Sequence, residues 1–152
     1  MFKPSARRLL PIVACYLPVP IVGAALSALW NVGASPDSGA GDMFLLGTAL
    51  TPPLFLPALL LTGAVAARSD GPTGRAGAIL VSVVSVMFLG GSTANLPNDL
   101  TAAQAAGSPL ALTVGLAVVH IALSVSLLAN ALPRALGRGG STASAPEVVA
   151  AV

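Results

Sequence analysis

The stretch Pro109 to Leu132, PLALTVGLAVVHIALSVSLLANAL, carries no charged residue and a single histidine at its middle. A run of this length satisfies its backbone internally as a helix and is long enough for the hydrocarbon of a bilayer, which needs about 20 apolar residues. Three other stretches read the same way: Leu9 to Trp30, Met43 to Ala67 and Gly77 to Leu96. No charged residue interrupts any of them. The sequence therefore predicts an all-α integral membrane protein, a four-helix bundle with spans over 9–30, 43–67, 77–96 and 109–132, forming one domain over 1–136.

Composition agrees with this class. Hydrophobic residues make up 55% of the 152-residue chain and charged residues 8%, too few charges to cover a soluble domain. The net charge of +2 does not gather into a patch, so nucleic acid is not an expected partner. The basic residues instead follow the loops. Lys3, Arg7 and Arg8 precede the first span, Arg68 and Arg75 lie between the second and third, and Arg134 and Arg138 follow the fourth. The alternate loops, 31–42 and 97–108, hold Asp37, Asp42 and Asp99 and no Lys or Arg. Short loops rich in Lys and Arg stay on the cytoplasmic side, which predicts both termini inside. The expected location is a bacterial plasma membrane. A cleavable signal, which the basic start and the small residues Ala25 and Ala28 suggest, is disfavoured, and so is a lipoprotein signal at Ile12 to Cys15, because hydrophobicity runs straight through Cys15.

Local signals refine the picture. Asp42 is placed to cap the second helix, and Ser108 with Pro109 to start the fourth. The loop from Asn95 to Gly107 has capping residues, an alanine-rich run and a closing glycine, the pattern of a short interfacial helix. Trp30 belongs at an interface. The segment 137–152 is rich in Gly, Ser, Ala and Pro and is expected to be a disordered tail.

Prolines mark the first two spans. Pro18 and Pro20 in the first, and Pro52, Pro53 and Pro57 in the second, each lack an amide and free a carbonyl about four residues earlier, predicting two kinks. Hydroxyls such as those of Thr48 and Thr51 are available to the freed groups. Gly23 with Ser27, and Ala78 with Ser82, have the four-residue spacing of a tight helix contact.

The candidate polar site centres on His120, an ionisable group at mid-membrane depth. At 100° per residue Thr113, Ala117, His120, Ser124 and Ala131 share one face, which is expected to turn inward. Ser85 lies at the same depth in the third span and is the expected hydrogen-bond partner of His120. Tyr16 is too deep for an interfacial belt and is expected to face protein, with its hydroxyl needing a partner. The bland reading of His120 is a neutral histidine packed in the bundle; the functional one is a proton relay or ligand contact.

No carboxylate lies within a span, and one histidine with one cysteine cannot build a metalloenzyme's ligand shell. Neither a nucleophile elbow nor a glycine-rich phosphate loop is present, so an enzyme, a cofactor or a metal site is not expected. Two functions remain. The first is a non-catalytic accessory, assembly or scaffold component that works by packing its helices against another membrane protein. The alternative is a small oligomeric transporter or channel using the kinked first and second helices and His120.

Overall fold

A computed structural model describes residues 8–137, and within them the chain is helical with one isolated bridge, Thr48 to Thr51. The expected tail beyond Gly137, with Lys3, Arg7 and Arg138, lies outside the described residues. The helices are α1 (Leu9–Tyr16), α2 (Pro18–Trp30), α3 (Phe55–Ala66), α4 (Gly71–Ala94), α5 (Leu96–Ala105) and α6 (Leu110–Ala135), with a short 3-10 turn at Ala40–Phe44. Taken across the join at Leu17, the first two form one 22-residue unit. This unit, α4 with 24 residues and α6 with 26 are long and apolar enough to cross a membrane.

Pro18 explains the join: it offers no amide to Ala14, and the regular pattern is broken at Leu17 although Leu17 keeps helical φ and ψ. The second stretch departs further from expectation. A helix was predicted over 43–67, but α3 has only 12 residues and starts at Phe55. Two adjacent prolines account for this. Pro53 drives Pro52 away from helical geometry, and neither can donate to a preceding turn, so the stretch ahead of them stays irregular. Gly47 turns the chain there with φ of +83°, and a side chain at that point would strike Pro53. Pro57 then falls in the first turn of α3, where an amide has no intrahelical acceptor anyway. Pro52, Pro53 and Pro57 therefore set where this helix starts and do not kink it.

Two expected caps are also corrected. Asp42 lies in the 3-10 turn, and its carboxylate accepts from the Ala34 amide, tying the loop rather than starting a helix. Its carboxyl is held below the usual range by hydrogen bonds from Ser38 and then Ala34. In α6 the N-cap position is Pro109, and the buried Ser108 hydroxyl makes no hydrogen bond.

The expected short helix over 95–107 is present as α5, closed by Gly107 at φ +70°. α4 packs most extensively on α6, α3 packs on α4, and α1 touches both α3 and α6. Gly63 and Gly77 let α3 and α4 approach until backbone meets backbone: a Cβ at Gly77 would lie 2.4 Å from the Ala67 nitrogen. One core runs through Leu9, Val13, Tyr16, Leu60, Val81, Phe88, Leu127 and Ala135. At that end Arg75 donates to the Ala135 carbonyl at 3.0 Å, Arg134 donates to Ser69, and these close the ends of α6 and the α3–α4 turn. A second, smaller core of Val32, Ala49, Leu50, Ala102 and Ala103 seats α5 over the opposite end. Large apolar side chains such as Ile21, Leu29, Val118 and Val125 point outward, as a lipid-facing surface requires.

Candidate functional site: a cavity floored by His120

The irregular stretch 48–53 lies along α2 and is held there by side chains that sequence spacing had singled out. Gly23 and Ser27 do form a tight contact, but with this stretch rather than with a helix. A Cβ at Gly23 would meet the Leu50 carbonyl, and Ser27 Oγ lies 2.6 Å from Thr48 Oγ1. Thr48 Oγ1 also accepts from the Leu50 and Thr51 amides, each at 3.2 Å, while Thr51 Oγ1 donates to the Pro20 carbonyl at 3.1 Å. The Ala49 amide reaches Gly33. Irregular backbone at this depth of a helical bundle is stable only when its polar groups are paired like this or line a cavity.

Both conditions hold. A cavity of about 220 Å³ lies against this stretch, bounded by Thr48 to Pro53 on one side, by Met87, Phe88, Gly91 and Ser92 of α4 on another, and by Leu116, Ala117 and His120 of α6. Asn95, Asn98 and Asp99 stand at the α4–α5 corner. Behind its wall the ring of Tyr16, which does not itself line the cavity, lies tilted at 5.2 Å from that of Phe88 and meets His120 edge-on at 5.6 Å.

On α6, Thr113, His120, Ser124, Leu127 and Ala131 are buried, so the predicted polar face does turn inward. The expected bond between His120 and Ser85 is not formed. Ser85 Oγ donates to Val81 O at 2.7 Å, one turn back in its own helix, and His120 Nδ1 lies 2.8 Å from Leu116 O. The Ser85 hydroxyl and the His120 ring nitrogen each meet a carbonyl one turn back in their own helix instead. This assigns the imidazole's protons. A carbonyl only accepts, so Nδ1 carries the hydrogen and neutral His120 presents Nε2 as a bare acceptor.

That Nε2 is buried without a partner, as are Tyr16 Oη, Thr113 Oγ1 and Ser124 Oγ. Tyr16 thus faces protein as expected, but its hydroxyl has no bond. An unpaired buried polar atom costs about 1–3 kcal/mol unless a water or ligand meets it, and Thr113, His120 and Ser124 place three of these four along α6.

Asp99 was legible only as a loop acid. Half-buried in the first turn of α5, it has its carboxyl pushed up to about 6 by loss of solvent. Asn95 and Asn98 carried no signal beyond helix capping. Cys15 is exposed. Among the described residues no group of three or more His, Cys, Asp or Glu is placed to hold a metal ion.

Comparison with protein-family models, with curated proteins and with solved structures finds no match.

Proposed function

We propose that the chain is an integral protein of a bacterial plasma membrane, a four-helix bundle with both termini cytoplasmic, and that it binds a small solute in the cavity above His120 as part of a transport or channel activity. The irregular stretch 48–53 is the observation that carries this reading. Membrane proteins keep non-helical backbone at depth where it lines a solute path, commonly beside a half-length helix, and α3 with its 12 residues spans only about 18 Å. The stretch ahead of α3 supplies the rest of the crossing. Topology is supported by the arginines: Arg75 and Arg134 meet the ends of α6 and the α3–α4 turn at one end of the bundle, while Asp42 and Asp99 occupy loops joining the other ends.

The test is flux of a protonatable solute into proteoliposomes containing the full chain. A flux that His120→Ala abolishes at unchanged reconstitution supports the reading; an equal flux in the variant removes His120 from the path.

A second reading has its own support. The core from Leu9 to Ala135 fills the arginine end, and the cavity meets it at Leu56 and Phe88, which belong to both. A closed cup fits a non-catalytic accessory, assembly or scaffold component that senses or holds a ligand for a membrane partner. Purification from the native host in a mild detergent separates the two: a membrane protein recovered at near-equal amount supports this second reading, and a defined homo-oligomer supports the first.

A further inference from the structure

The cavity's ionisable groups share one character. Asp99 offers a carboxylate, the ring of His120 lines the wall with its Nε2 sealed from the open space, and no Lys or Arg is among the lining residues. Met87, Phe88 and Leu116 form an apolar patch of the wall, beside the polar side chains of Thr48, Thr51, Ser92, Asn95 and Asn98. Among the described residues no basic side chain pairs with Asp99, although its carboxyl is half-buried and so pays for desolvation without a counter-charge.

A ligand that fits must bring positive charge or donors, and an apolar body. An anion would find no cation to meet it, and a purely apolar molecule would leave the half-buried Asp99 carboxylate unpaired. A metal ion fits poorly, since Asp99 is the one carboxylate in the lining and among the described residues no group of three or more His, Cys, Asp or Glu is gathered to hold it. Volume sets the size. An apolar cavity of about 150 Å³ admits benzene, so about 220 Å³ takes one ring with a short chain.

We infer that this cavity is a binding site for a small organic ammonium ion, its charge at Asp99 and its apolar body against Met87 and Phe88. The inference rests on the solute-binding reading above. Phe88 has a ring at the cavity wall and Met87 a polarisable thioether, both suited to an amine's carbon skeleton.

Three probes of nearly one shape test it: phenethylammonium, 2-phenylethanol and phenylacetate, titrated calorimetrically into the full chain in a neutral detergent. Phenethylammonium is expected to bind at least about tenfold tighter than the alcohol at pH 7.5, with phenylacetate weakest. Asp99→Asn should bring the ammonium ion down to the alcohol's affinity while alcohol binding persists, which shows that the variant is folded. Gly91→Leu fills the cavity from a position where a Cβ meets nothing within 4 Å, and should abolish binding of all three. Asp99 and His120 are the titratable groups lining the cavity; α3, α4 and the stretch 46–53 contribute none. With the Asp99 carboxyl at about 6, ammonium affinity should fall about tenfold from pH 7.5 to pH 5 as the carboxylate takes a proton.

If alcohol and ammonium bind equally to the wild-type chain, the ligand class is wrong and the cavity reading survives. If phenylacetate binds best, the charge argument is overturned. Failure of all three on folded wild-type protein overturns both the ligand class and the solute-binding reading.

Discussion

Replacing Gly77 with alanine adds one carbon to the place where α3 and α4 come closest. That carbon would sit 2.4 Å from the Ala67 nitrogen, 2.6 Å from the Gly63 carbonyl oxygen and 2.7 Å from the Ala66 carbonyl carbon. Ordinary contact begins at 3.4 Å, so the two helices must part by about 1 Å. No rotamer change relieves this, because all three atoms are backbone. Overpacking of this kind costs about 1–3 kcal/mol, and the gain in helix propensity from glycine to alanine returns at most about 1 kcal/mol. The net expectation is a loss of about 1–2 kcal/mol. Unfolding in mixed micelles of rising sodium dodecyl sulfate content, followed by circular dichroism and by the fluorescence of the single tryptophan, Trp30, reads it directly. Gly90→Ala is the control, since a Cβ there meets nothing within 4 Å and should leave stability unchanged or slightly raised. A Gly77→Ala midpoint at or above that of Gly90→Ala would refute the close approach of α3 and α4.

Other substitutions separate structure from function. His120→Leu keeps volume and removes an unpaired nitrogen, so stability should stay within about 1 kcal/mol of wild type; a large fall in the unfolding midpoint would make the histidine a packing element instead. Thr48→Val strips the anchor of the irregular stretch, leaving the Ser27 hydroxyl and the Leu50 amide without this partner and the Thr51 amide with the Thr48 carbonyl alone at 3.3 Å. A cost of about 2 kcal/mol is expected, with Ser27→Ala adding less than its own separate effect; full additivity would show that the two hydroxyls act independently. Asp99 holds its proton more tightly folded than unfolded, because its carboxyl is raised to about 6 from 3.8. Its contribution to stability is therefore most favourable when protonated and declines as pH rises from about 4 to about 6, then levels. Thermal midpoints of wild type and Asp99→Asn, compared across that window, should diverge in the variant's favour with rising pH; parallel curves would place Asp99 in solvent.

How much of this was legible depended on whether a feature was local. The 9–30 stretch, the helix at 109–132 and the inward face of Thr113, His120 and Ser124 follow from hydropathy and a 100° step, and α4 and α6 differ from expectation only at their ends. The short α5 was announced by its capping residues and Gly107. Hydropathy misled over 43–67, because an apolar run does not reveal whether its backbone is helical; the Pro52–Pro53 pair was the better signal and was assigned to a kink. The cavity was not legible. Its wall joins residues as distant as Thr48, Gly91, Asp99 and His120, and no spacing rule connects them. The Ser85–His120 pairing failed for a related reason: depth says where a hydroxyl lies, not that Val81 has already taken its hydrogen.

Sidedness is the foundation of the account, since α3 is short and three helices alone would place the chain's two ends on opposite faces. The direct measurement replaces Cys15 with serine, introduces single cysteines at Pro36, Ser69 and Asn98, and labels sealed, right-side-out spheroplasts with a membrane-impermeant maleimide. All three positions are exposed. Labelling at Pro36 and Asn98 from outside, with Ser69 labelled only after lysis, is the predicted result. Labelling of Ser69 together with Pro36 from the outer face would show that α3 does not complete a crossing, and would contradict the four-segment arrangement on which the cavity's access from outside depends.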